Sequence, residues 1–130
     1  MSVMNADKKR IIEAAVAELF GKGNVDAMAP LLQEDFVDHG PGVVASSKAD
    51  WIAAVRKVPL ADMKLEVRLL LADGEYVTML SRRWLPWQGH WIAVVDIWRF
   101  EDGLIAEHGE VFQPLPATDR QPSANRLVPW

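Results

Sequence analysis

Several polar side chains fall where strand periodicity would place apolar ones. Between about His90 and Phe100, alternate residues Ile92, Val94, Asp96, Trp98 and Phe100 share one face, so a lone carboxylate stands among large apolar groups. From Leu104 to about Gln113, the same counting groups Leu104, Ala106, His108, Glu110 and Phe112. From about Tyr76 to Leu85, it groups Tyr76, Thr78, Leu80, Arg82 and Trp84. A charge on such a face must be paired, solvated in a cavity, or paid for by a shifted pKa. Asp96 with Arg82, or His108 with Glu110, can satisfy each other as structural pairs. Converging on a concave, aromatic-lined surface, the same groups make a ligand site. Arg99 and Glu107 fall on the opposite faces and are expected at the surface or in an interface.

His39 lies outside these stretches, in Asp38-His39-Gly40-Pro41-Gly42, where glycine and proline predict a tight loop at the mouth of any enclosed space. It is either a loop residue bonded to backbone or a proton-transfer group active near neutral pH. An apolar pocket would raise the pKa of Asp96, which could then take and return a proton. His39, Tyr76, His108 or Arg82 would stabilise a developing oxyanion. Trp51, Trp84, Trp98 and Phe112 would hold a flat or cyclic substrate. Asp96, Glu110 and Arg82 could alternatively surround one water for epoxide opening.

Other chemistries find little support. The chain has no cysteine, and His39, His90 and His108 have no metal-ligand spacing. It has no Gly-x-Gly-x-x-Gly and no P-loop, and Ser46, Ser47 and Ser81 lack a nucleophile-elbow context. No metal and no cofactor are expected. A net charge of −4 argues against a general grip on nucleic acid, so Trp84, Trp87, Trp91 and Trp98 read as core and pocket wall.

The elements that must position these residues follow from periodicity. Asn5 or Asp7 is expected to cap a first helix to about Phe20, with Ile11, Ile12, Ala15, Val16, Leu19 and Phe20 on its buried side. Asn24 is expected to cap a short second helix through Leu32. Phe36 to Gly42 reads as a short extended piece entering a turn. Ser46 or Ser47 caps a third helix carrying Trp51, Ile52 and Val55, which Pro59 closes. The period then changes to two. Met63, Leu65, Val67, Leu69 and Leu71 alternate with polar residues, and Asp73-Gly74, Pro86-Trp87-Gln88-Gly89 and Asp102-Gly103 punctuate four strands. The expected fold class is α+β, with three N-terminal helices on a curved antiparallel sheet.

The 130 residues are enough for one domain, expected over 1–113, with a proline-rich tail over 114–130. No apolar run is long enough to span a membrane, and the N-terminus resembles no signal peptide, so a cytoplasmic protein is expected. The third strand is apolar on both faces, with Trp91, Ala93, Val95 and Ile97 opposite the Asp96 face; Val77, Met79 and Leu85 are expected on that outer side too. Helices can cover only one face, so a homodimer through the outer sheet face is expected. The tail ending Leu127-Val128-Pro129-Trp130 is the lesser candidate cover.

The stretch Asp96-Ile97-Trp98-Arg99-Phe100-Glu101-Asp102-Gly103-Leu104-Ile105-Ala106-Glu107-His108 resembles the C-terminal signature of SnoaL-like polyketide cyclases, in the nuclear transport factor 2-like superfamily. Phe36-Val37-Asp38-His39-Gly40-Pro41 resembles that family's aromatic-x-x-His-x-Pro loop, and the element order agrees over about residues 5–113. The resemblance implies a cone-shaped domain with a pocket at one end. It also implies cofactor-independent aldol condensation or isomerisation of a small hydrophobic or cyclic carbonyl compound, with Asp96 as acid/base and His39 and His108 assisting. The sequence departs from the family where Leu80 and Arg82 stand in place of histidine, Gly109 in place of tryptophan, Glu110 in place of aspartate and Leu104 in place of lysine. These departures bear on substrate and reaction rather than on fold. A non-catalytic binding module or dimeric scaffold of the same fold is the alternative, and epoxide hydrolysis a lesser one.

Overall fold

The computed structural model describes residues 4–116. Helix α1 spans Asn5–Leu19 and buries Ile12, Ala15, Val16 and Leu19, the predicted stripe. Neither Asn5 nor Asp7 caps it; the N-cap position is Met4, with no side-chain bond. The expected second helix is instead two 3-10 turns, Val25–Ala27 and Ala29–Leu31, the second with Pro30 in its first turn. Proline donates no backbone hydrogen bond, which stops the turns joining into one helix. Helix α2 spans Lys48–Val55; Ser47 caps it by accepting from the Asp50 amide, and it buries Trp51 and Val55.

The sheet has six strands, in the order β2-β1-β6-β5-β4-β3. They are β1 Leu32–His39, β2 Val44–Ala45, β3 Lys64–Asp73, β4 Tyr76–Leu85, β5 His90–Glu101 and β6 Leu104–Pro114. Strands β3 to β6 form the predicted antiparallel meander. The sheet is wider than expected, because Leu32–His39 is a full strand that pairs parallel to β6 and antiparallel to β2. Pro114 belongs to β6 rather than to a tail, while 117–130, with Leu127 to Trp130, lie outside the described residues.

This is a curved, unclosed sheet whose inner face packs against the helical segments, the arrangement that the resemblance implies. Ile12, Val16, Phe36, Val77, Met79, Val94 and Ile105 are the deepest apolar side chains between the layers. Among the described residues no helix is long and apolar enough to cross a membrane.

Candidate functional site

Residues directly opposite each other in an antiparallel pair share a face. Strand β5 turns Ile92, Val94, Asp96, Trp98 and Phe100 inward, as the sequence predicts, and Asp96 is only 2% exposed. Across β4, Met79 faces Asp96, Ser81 faces Val94 and Arg83 faces Ile92. The inner face of β4 is therefore Val77, Met79, Ser81, Arg83 and Leu85, all buried. This reverses the expectation for that strand. Tyr76, Arg82 and Trp84 stand on the outer face: Tyr76 is exposed, Trp84 packs edge-on against Trp91, and Arg82 binds Glu66 and covers the Trp91 ring. None of the three lines the pocket.

In β6 the register shifts between Arg99 and Phe100 of its partner, leaving Ala106 as an extra residue. Ile105 is thereby buried and Leu104 exposed, against the simple alternation. Beyond the bulge, His108, Glu110 and Phe112 do face the cavity. Strand β1 supplies Asp38, set beside His108 in the parallel pair and two residues after the buried Phe36. Asp38 points inward, so the next residue, His39, points out. Its side chain is 59% exposed and meets Glu107, whose carboxyl is held low by Arg99 and then by His39. His39 lines no part of the pocket.

The inward residues form one connected cluster. His108 donates from Nδ1 to Asp38 Oδ1 at 2.9 Å and from Nε2 to Asp96 Oδ1 at 2.7 Å. Arg83 donates from Nη2 to Asp96 Oδ2 at 2.8 Å and from Nη1 to Glu110 Oε2 at 3.2 Å. The Gly42 amide donates to Glu110 Oε1 at 2.8 Å, and the Gly40 amide to Asp38 Oδ1 at 3.0 Å. The Trp98 ring lies 5.2 Å from the imidazole, centre to centre, and Phe20 carries the Arg83 guanidinium at 4.5 Å.

Burial alone would lift the Asp96 pKa, as expected from sequence. The Arg83 charge and the His108 hydrogen bond and charge outweigh it and hold the carboxyl below its ordinary value. Burial likewise pushes His108 down, but Asp38 and Asp96 reverse this and lift it to about 10. The cluster thus favours a protonated His108 beside an ionised Asp96 rather than a half-protonated aspartate.

The cluster forms the polar patch of a cavity of about 390 Å³ between sheet and helices. Trp51, Trp98 and Phe112 line it as predicted, with Val16, Leu19 and Phe36 among the other apolar walls. Asp96, His108 and Glu110 also have donor atoms within 4.8 Å of one another, the one set of this kind among the described residues. Arg83 bridges Asp96 and Glu110, where a cation held by these two carboxylates would have to displace it. Chemically, the cluster places a buried anion and a buried proton donor side by side at an apolar wall.

Two members were missed from sequence, Asp38 and Arg83. Asp38 had a signal, its two-residue spacing from Phe36. Arg83 had none, because Arg82 beside it offers the same chemistry to the opposite face.

A family model described as "SnoaL-like domain" matches residues 12–108. No curated protein sequence matches the chain. Among solved structures, a Kribbella flavida protein described as a candidate ketosteroid isomerase is similar over 95% of this chain and 89% of its own, at 22% identity and TM-score 0.72. An LEH-like epoxide hydrolase of M. tuberculosis is similar over 84% of each chain, at 16% identity and TM-score 0.70. An NTF2-like protein of Cytophaga hutchinsonii is similar over 87% of this chain and 95% of its own, at 19% identity and TM-score 0.69. At these identities the likeness establishes the fold.

Proposed function

The chain belongs to the SnoaL-like domain family, and from that premise we propose that it is a cofactor-independent enzyme moving protons on a small carbonyl compound, in an isomerisation or an aldol-type ring closure. The observation that carries this reading is Asp96, an anion buried at an apolar cavity with the His108 imidazolium 2.7 Å away. Asp96 removes the proton alpha to the carbonyl. Protonation discharges the group that held the His108 Nε2 proton, and that N–H turns to the enolate oxygen. In isomerisation the proton returns at another carbon. In ring closure the enolate carbon attacks a second carbonyl, whose oxygen takes the proton. Arg83 and Asp38 hold Asp96 and His108 in place, and Trp51, Trp98 and Phe112 fix the plane of the substrate. The test is incubation with a panel of cyclic ketones and diketones in D2O, followed by NMR. Enzyme-dependent exchange at the alpha carbon supports the reading, and its absence across the panel contradicts it.

A second reading, epoxide hydrolysis, is favoured by Arg83 bridging Asp96 and Glu110 at 2.8 and 3.2 Å. Two carboxylates and an arginine can hold one water; a carboxylate takes its proton as it opens the epoxide, and His108 supplies the proton to the leaving oxygen. Incorporation of ¹⁸O from labelled water into a diol would select this reading. Tight ligand binding with neither reaction would select a non-catalytic binding module.

A further inference from the structure

We propose that the apolar run Leu127-Val128-Pro129-Trp130 of this same chain seats on the exposed aromatic rim of the cavity, against Trp87 and Phe112, and closes its mouth. This goes beyond the proton-transfer reading and holds whether or not the cavity turns over a substrate. Most of the cavity wall is buried, but Trp87 and Phe112 line it while 54% and 52% exposed. Pro41, Gly42 and Gln88 are the other exposed lining residues, so these positions mark the opening, and none of them carries a charge. Two large aromatic rings at an uncharged opening form the kind of exposed patch that marks an interaction surface.

The chain itself leaves the sheet at this opening. Phe112 is followed by Pro114, which pairs with Ile92, and by Leu115, whose amide donates to the Trp91 carbonyl at 3.1 Å. Trp91 stands just after the β4–β5 turn that carries Trp87 and Gln88. Residues 117–130, outside the described ones, therefore begin a short way from both rings. Their composition divides in two. Residues 117–126 are mostly polar, with Asp119, Arg120 and Arg126, whereas Leu127 to Trp130 are apolar. At about 3.3 Å per extended residue the polar part reaches about 33 Å, ample to run out and return. The entropy of closing such a loop grows only slowly with its length. The other surface in reach is the outer sheet face near Val111. It is the convex side of the curved sheet and meets a side chain from one direction, whereas the rim walls it from several.

The chain has no cysteine, so paired cysteines report the seat directly. Two full-length variants are compared at low micromolar concentration under a mild oxidant. Gln88→Cys with Val128→Cys joins the run to the rim. Gln113→Cys with Val128→Cys joins it to the outer face, where Gln113 lies opposite Ala93. Gln88 and Gln113 are exposed, so neither substitution disturbs the core. The internal disulfide of the rim pair, read by peptide mass and by the monomer band on a non-reducing gel, is expected to form at least about tenfold faster than that of the outer pair, because a seated segment has the higher effective concentration. Adding Trp130→Ala to the rim pair is expected to slow it to the rate of the outer pair. Equal rates in the two pairs, or faster closure to Gln113, overturn the proposal. Disulfides between two copies in place of internal ones overturn it too, since the occupant is then another chain. A rim pair that closes as fast with Trp130→Ala overturns the anchoring by that ring. No substrate enters the measurement, so its outcome is independent of whether alpha-proton exchange is observed.

Discussion

Arg83 donates to Asp96 and Glu110 from a side chain only 10% exposed, so removing it strands two carboxylates against a low-dielectric wall. Arg83→Met should therefore destabilise the fold by about 3–5 kcal/mol, the usual cost of breaking a buried pair from one side. The neighbouring Arg82→Met loses an outer-face pair with the half-exposed Glu66 and should cost about 1 kcal/mol or less. Urea denaturation of the two variants checks the contrast; equal losses would contradict the assigned faces. His108 gives a pH signature. Its folded pKa, about 10, lies above the ordinary 6.5, so its contribution is complete below about 6.5 and lost as pH rises through about 10. Thermal midpoints should fall between pH 6.5 and 10 in the wild-type protein and stay flatter in His108→Gln. Asp96, His108 and Glu110 were legible in the sequence because polar groups on apolar faces stand out. The lowered pKa of Asp96 was not, because its sign depends on Arg83, which periodicity cannot place.

At the scale of elements, β-bulges decide which arginine enters the pocket. The sequence predicts an unbroken alternation from Met63 to Leu71, but the β3–β4 register shifts between Val67 and Leu69. Leu70 and Ala72 then turn to the core, while Leu69 and Leu71 are exposed. Carried across the Asp73-Gly74 turn, an unshifted count assigns Thr78, Leu80 and Arg82 to the core face; the shifted one assigns Met79, Ser81 and Arg83. A bulge adds one residue without a compositional mark, so the pairing partner alone reveals it. The helices were read more faithfully, since the α1 stripe and the Ser47 cap are local. The loop after β1 sets the other side of the site. A Cβ built on Gly42 would lie 2.4 Å from Glu110 Oε1, the atom its own amide binds. Gly42→Ala should displace Glu110 and lower kcat about tenfold or more, as small misplacements at an active site do. A midpoint of unfolding within a few degrees of wild type would confirm that the loss is positional, and unchanged kcat would contradict the role given to this loop.

At the scale of the molecule, no helix among the described residues covers the outer face of the sheet. Val77, Met79 and Leu85, expected there from sequence, are buried on the inner face, yet Leu69, Leu71, Ile97 and Val111 remain exposed on the outer one. We expect this face to join two copies by a two-fold axis. Sedimentation should give a particle of twice 14.6 kDa, and Ile97→Asp should yield monomers that keep the pocket; a wild-type monomer at micromolar concentration would refute the assembly. The functional reading depends on the cavity being a proton-transfer site with Asp96 as its base. The most direct measurement is the rate of alpha-proton exchange in D2O into the best cyclic ketone of the panel, compared between the wild-type protein and Asp96→Asn at matched folded concentration. The account predicts a loss of about 10²–10⁴ in the variant, the usual contribution of a positioned base. An Asp96→Asn protein that exchanges the proton as fast as wild type would contradict it.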